Sequence, residues 1–151
     1  KIRHMHYLHT MVRVTDIDTS LRFWCDGLGL AEVSRNEYPD AKFTLIFLAA
    51  PDDKDAFANT RAPALELTYN WDSDEVYDEG RNFGHLAYAV DDIYVLCQHL
   101  QEMGIVINRP PRDGRMAFIR SPDHISVELL QIGDPKPVAE PWASMPNTGK
   151  W

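Results

Sequence analysis

The chain has 151 residues, enough for one domain with a real core, and a hydrophobic share of 44 % with 25 % charged residues is ordinary for a globular protein. Fifteen Lys and Arg against 23 Asp and Glu leave a formal charge of −8, which repels phosphate backbones and anionic lipids and sets aside nucleic acid and membrane as partners. No apolar run approaches the roughly 18 residues of a membrane span, and no basic-then-apolar leader opens the sequence, so the expectation is a cytoplasmic protein. His4-Met5 is a dipeptide left by a common cloning site; residues 1–4 are therefore set apart from the fold as a remnant. Cys25 and Cys97 form no CxxC pair and are expected as free, buried thiols.

In chain order, His9-Thr10-Met11-Val12-Arg13-Val14 suits a strand, and Asp16 and Asp18 offer N-cap oxygens for a helix with Leu21, Trp24, Cys25 and Leu28 at helical spacing. Gly27 and Gly29 close it, and strands are predicted around Ala31 to Ser34, Lys42 to Ala49 and Ala64 to Asn70. The same order then recurs. His85 to Val90 is a strand, Asp91-Asp92 a helix start, and Ile93, Leu96, Cys97 and Leu100 an apolar stripe stopped at Gly104. Strands follow near Ile105 to Asn108, Arg115 to Ile119 and Ile125 to Leu130, the last two joined by a Ser121-Pro122-Asp123 turn. The tail from Gly133 to Trp151 has four prolines and no period, yet Trp142, Met145 and Trp151 are costly to leave in water, so it should pack while remaining irregular.

The repeat fits a paired βαβββ module better than a parallel βαβ sheet, because three short strands follow each helix. His9 to His85 is a shift of 76, shared by Val14 and Val90, whereas Glu66 to Glu128 is a shift of 62. The first half therefore holds 14 more residues, most of them assigned to the polar stretch Pro51 to Pro63. The fold class is α+β, one domain over residues 5–132 with modules of about 5–72 and 80–132, and a tail over 133–151.

Strand alternation sorts the polar residues. His9, Met11 and Arg13 share one face; Glu66, Thr68 and Asn70 share another; Glu128 stands between Val127 and Leu129. Each half thus puts one His on its first strand and one Glu on its last. An ionised Glu in an apolar strand is expensive unless paired or metal-bound, and two imidazoles with two carboxylates suit a borderline divalent metal such as Ni2+, Co2+ or Zn2+. Taken singly, each residue is more simply a satisfied or solvated side chain; the joint pattern reverses that reading.

The segments Leu8 to Val14, Leu65-Glu66-Leu67-Thr68-Tyr69-Asn70-Trp71, Phe83-Gly84-His85-Leu86-Ala87 and Ser121-Pro122-Asp123 leading to Val127-Glu128-Leu129-Leu130 resemble glyoxalase I, the lactoylglutathione lyase family of the vicinal oxygen chelate superfamily. Phe23, Gly27-Leu28-Gly29-Leu30 and Lys42 to Leu48 match between them in order, so the resemblance spans roughly Leu8 to Gln131. It implies His9, Glu66, His85 and Glu128 as ligands of one divalent metal, with Ni2+ or Co2+ favoured by the His at the first position and Zn2+ as the alternative. It implies isomerisation of the methylglyoxal–glutathione hemithioacetal to S-lactoylglutathione, a methylglyoxal detoxification. A metal-bound Glu takes the carbon-bound proton and an enediolate forms on the metal; a carboxylate in a desolvated cleft is a stronger base than one in water. By position Glu128 is the principal base and Glu66 its pseudo-symmetric counterpart. Arg13, Asn70, Arg81 and Arg109 match positions that hold glutathione, a role suited to bidentate Arg, with Arg112 or Arg115 as substitutes for Arg109. It further implies a homodimer in which each site joins the first half of one subunit to the second half of the other.

The sequence departs from the family in three places, one of them a tail after Leu130 longer than in the shortest bacterial members. Pro122-Asp123-His124 puts a Cβ where the turn often has Gly, and Ile125 or Ser126 replaces a frequent aromatic. Three alternatives stay open: a glyoxalase-like enzyme for another thiol or ketoaldehyde, a dioxygenase or thiol transferase of the same superfamily, and a metal-free ligand-binding module of this fold.

Overall fold

Val12 and Val14 are buried while His9, Met11 and Arg13, on the opposite face of the same strand, are exposed. That alternation is the rule by which this chain builds both of its sheets. In a computed structural model that describes residues 1–78 and 80–151, the chain divides into two units, Lys1–Tyr77 and Asp78–Trp151.

In the first unit β1 (His9–Val14) lies parallel to β4 (Ala64–Asn70), and β3 (Phe43–Ala49) and β2 (Ala31–Tyr38) continue the sheet in the order β1-β4-β3-β2. The connection from β1 is α1 (Ile17–Leu21), capped by Asp16, whose carboxylate accepts from the Thr19 N–H at 2.7 Å. It runs on through a π-helical stretch, Arg22–Gly27, that buries Phe23 and Trp24. The polar stretch after β3 holds a helix that its sequence does not announce, α2 (Lys54–Thr60). With Phe57 as its one large apolar side chain it shows no helical period, and Phe57 anchors it, buried with Phe47 and Ala49.

In the second unit β5 (Leu86–Val90) lies parallel to β7 (Ser126–Gln131), with β6 (Met116–Arg120) antiparallel beyond, in the order β5-β7-β6. Helix α3 (Ile93–Glu102) begins on Asp92, whose Oδ1 accepts from the N–H groups of Tyr94 and Val95, and it buries Ile93, Cys97 and Leu100. Gln131 ties β7 to the start of α3: its Oε1 accepts from the Ile93 N–H and its Nε2 donates to the Asp91 carbonyl. Both thiols are free; Cys97 is buried, Cys25 only partly, and burial pushes the Cys97 thiol up to about 12.

The strand expected near Ile105 to Asn108 does not form. Among the described residues, one bridge, Arg109 to Phe118, stands at that edge of the sheet. Pro110 and Pro111 follow at once, and without N–H groups they cannot continue a ladder. The bridge occupies the place that Ser34 of β2 takes beside Phe47 in the first unit.

The tail packs, as its tryptophans require. Trp142 is buried and stacks on Tyr94, the rings 6.2 Å apart and 7° from parallel. The Tyr94 hydroxyl donates to the Pro137 carbonyl, and the Lys136 N–H donates to the Gly114 carbonyl. Gly114 has φ +71°, and a Cβ there would stand 2.1 Å from the Lys136 carbonyl oxygen, so only Gly fits under the tail. Among the described residues, no helix is long and apolar enough to cross a membrane.

Candidate metal centre

The parallel pairing of β1 with β4 sets Met11 opposite Glu66, so His9 lies two residues before the partner of Glu66 on the same face. His9 Nε2 and Glu66 Oε2 come within 3.4 Å. The second unit repeats the register: Ala87 lies opposite Glu128, and His85, just before β5, is again two residues earlier. His85 Nε2 and Glu128 Oε1 come within 3.3 Å. Leu65 and Leu67, and likewise Val127 and Leu129, turn the other way into the cores. The same backbone register thus delivers the same imidazole–carboxylate pair twice.

Each pair is half-sheltered. The Glu66 and Glu128 side chains are 12 % and 17 % exposed, their His partners 33 % and 43 %. A metal fits the spacing: two donors about 2.1 Å from one ion and about 90–110° apart stand roughly 3.0–3.4 Å from each other. No group of three or more His, Cys, Asp or Glu gathers to hold an ion among the described residues. The four expected ligands stand as two pairs, one in each unit.

Sequence reasoning missed a third member of each pair. In the antiparallel ladders Phe47 of β3 lies opposite Glu66, and Phe118 of β6 opposite Glu128. Phe47 meets His9 edge-on, 5.4 Å between centroids at 85°, and Phe118 meets His85 at 5.2 Å and 89°. A T-shaped contact restricts the imidazole plane and excludes water from one side. The sequence shift between the two phenylalanines is 71, neither 76 nor 62, which is why the repeat hides them. It also divides the surplus length: nine of the 14 extra residues fall between Phe47 and Glu66, where α2 lies.

The residues expected to hold glutathione sit differently. Arg13 is exposed on the His9 face of β1, and Asn70, at the end of β4, shares the face of Glu66. Arg81 is exposed in the turn before β5. Arg109 is engaged within its own unit: its guanidinium donates to the Pro110 and Met116 carbonyls and pairs with Asp113 at 3.4 Å. Burial alone would raise the Asp113 carboxyl, but the Arg115 N–H, the Arg109 guanidinium and the Met116 N–H hold it below the usual carboxylate range. Arg112 donates to the Met145 carbonyl and to Asn147 Oδ1 in the tail, while Arg115 is exposed. The turn before β7 has the conformation its sequence questioned: His124 takes φ +71°, and its N–H donates to the Ser121 carbonyl.

The Glyoxalase/Bleomycin resistance protein/Dioxygenase superfamily matches residues 6–129. The chain is 37 % identical over 137 residues to a "Probable lactoylglutathione lyase" of Synechocystis, covering 87 % of this chain and 99 % of that one. It is 38 % identical over 132 residues to the lactoylglutathione lyase of Haemophilus influenzae, covering 84 % and 93 %. Among solved structures it resembles the trypanothione-dependent glyoxalase I of Leishmania major, with a TM-score of 0.72 and 32 % identity over 85 % of this chain and 87 % of that one.

Proposed function

The chain belongs to the Glyoxalase/Bleomycin resistance protein/Dioxygenase superfamily, and from there we propose that it is a glyoxalase I. It isomerises the hemithioacetal of methylglyoxal and glutathione to S-lactoylglutathione, a detoxification of methylglyoxal. One observation supports this above the others: the His–Glu pair is present twice, in one register, each backed by a phenylalanine. A dioxygenase or thiol transferase site of two His and one Glu leaves the second carboxylate without a task, and a metal-free binding module leaves both pairs without one.

In this reading His9, Glu66, His85 and Glu128 hold one divalent ion, Ni2+ or Co2+ in preference to Zn2+, with the first unit of one copy facing the second unit of another in a homodimer. When bound, the ion supplies Lewis-acid stabilisation of the oxyanion charge that develops on the substrate. Glu128 removes the carbon-bound proton and returns it to the neighbouring carbon, and Glu66 serves the other face. A base needs reach before strength, and β7 holds Glu128 beside His85 with Phe118 closing one side. Arg13 and Asn70 take carboxylate and amide groups of glutathione on the first unit, Arg81 and Arg109 on the second, the latter through whatever donors Asp113 leaves to it.

The test is turnover of the methylglyoxal–glutathione hemithioacetal by protein loaded in turn with Ni2+, Co2+ and Zn2+. Thioester formation, highest with Ni2+ or Co2+, is the expected result; no thioester at full metal occupancy overturns the assignment. A second reading, the same reaction with a different thiol, is favoured by the internal commitments of Arg109 and by likeness to a trypanothione-dependent enzyme. A higher kcat/KM with the trypanothione hemithioacetal than with that of glutathione would select it.

A further inference from the structure

Helix α2 lies on the sheet face that carries the first metal pair. Phe57 packs against Phe47 and Ala49, with Leu45 and Ala64 beside them. Phe47 is the residue opposite Glu66 in the ladder, and residues directly opposite share a face. A row of rings therefore leads from the helix to the imidazole: the Phe57 and Phe47 centroids are 6.0 Å apart, and Phe47 is 5.4 Å from His9. One cation sits on this row. The Arg61 guanidinium carbon lies 4.5 Å from the Phe57 centroid and 5.1 Å from that of Phe47, so a single ring separates it from His9.

Arg61 is held in place, yet its donors are open. It closes α2 in the left-handed conformation, φ +64°, with its N–H donating to the Phe57 carbonyl at 2.8 Å. That position commonly falls to Gly or Asn, which adopt it more readily. Two aromatic faces limit where the side chain points. The residue is nevertheless exposed, and among the described residues its guanidinium makes no ion pair or hydrogen bond. By contrast Arg35 closes on both oxygens of Glu32, Arg109 on Asp113, and Arg112 on Asn147 of the tail. A fixed guanidinium with open donors suits a carboxylate or phosphate. Its direction from the metal pair also matters. Arg13 and Asn70 stand four residues further along β1 and β4 than His9 and Glu66, about 13 Å away. Arg61 instead lies across the sheet, over Phe47 of β3.

We propose that Arg61 is a specificity-determining residue: it receives an anionic group, carboxylate or phosphate, carried by the ketoaldehyde part of the substrate. The inference rests on the glyoxalase reading above and deepens it to the aldehyde. In that reading the thiol peptide lies along the strands toward Arg13 and Asn70. The group left to point across the sheet, toward β3 and α2, is the aldehyde's own substituent. An uncharged substituent such as the methyl of methylglyoxal gives the guanidinium nothing to meet, whereas an anionic one of a few atoms gives it a bidentate partner.

The experiment uses the metal-loaded full chain and compares wild type with R61G and R61K. Gly takes φ +64° freely, so R61G removes the guanidinium without straining the turn. Steady-state kcat and KM are measured for the glutathione hemithioacetals of carboxyethylglyoxal, its methyl ester and methylglyoxal. Dissociation constants of S-carboxybutylglutathione and S-pentylglutathione are measured by calorimetry. In R61G the acid-over-ester ratio of kcat/KM is expected to fall about tenfold, mainly through KM, and the carboxybutyl-over-pentyl preference by a similar factor. R61K should keep part of both, as a point charge without the fork. Added salt should lower the ratio in wild type more than in R61G. An unchanged ratio in R61G, with wild type active, overturns the role of Arg61 and leaves the glyoxalase reading intact. An equal rise of KM for all the hemithioacetals puts the guanidinium on the thiol peptide and overturns the assignment to the aldehyde. Wild type that turns over none of them at full metal occupancy overturns the glyoxalase reading and this inference together.

Discussion

Glu66 and Glu128 are closely matched: same register, same imidazole partner, similar shelter. Their assigned difference is chemical and can be measured. Glu128→Gln should fold and keep much of its metal affinity yet lose about 10²–10⁴ in kcat, the usual size of a general-base contribution. Circular dichroism and metal analysis beside steady-state kinetics check it, and near-normal turnover in that variant moves the base to Glu66. Arg13→Ala should instead raise KM for the glutathione hemithioacetal about tenfold with a smaller change in kcat, the mark of lost substrate binding. All four metal-binding candidates were legible from strand alternation and the repeat. Phe47 and Phe118 were not, since an apolar residue in an apolar strand gives no sign of which neighbour it will meet across the sheet.

Among the elements, the tail and the helix starts carry the stability predictions. Gly114→Ala puts a methyl group into the Lys136 carbonyl, so the tail must lift. Limited proteolysis beyond Ile132 should accelerate, and Tm should fall by several degrees, in line with a loss of about 2–3 kcal/mol. Asp92 caps α3 and also pairs with Lys136 at 3.1 Å. The Val95 N–H above all, then Lys136, outweigh burial and hold its carboxyl below the ordinary value of 3.8. Its contribution is therefore complete above about pH 4 and lost as pH falls through the lower folded value. Asp92→Ala should cost about 1 kcal/mol at neutral pH, and the difference from wild type should vanish in acid, as a Tm series between pH 7 and pH 2 would show. The caps at Asp16 and Asp92 were readable because a cap is a local event within four residues. The missing strand at 105–108 and the unforeseen α2 were not: pairing at the first edge stops at a single bridge next to two prolines, and the other is held by a single tertiary anchor.

At the scale of the whole molecule, the proposed assembly makes a prediction that no single chain can satisfy. Mixing a His9→Ala chain with a His85→Ala chain, each inactive alone, should restore about a quarter of wild-type activity if each site joins two copies, because half the dimers then carry one intact site of two. No recovery after subunit exchange would place each site within one chain or dispense with the dimer. By itself the sequence determined the modules, their faces, the four metal-binding candidates and the packing of the tail, because periodicity, capping and the expense of exposed tryptophan act locally. Tertiary structure decided which side chains stand behind the imidazoles, that Arg109 is already engaged, and that Trp151 stacks on Phe118. These are contacts between residues tens of positions apart, and they depend on ladder register and loop path, which no local pattern encodes.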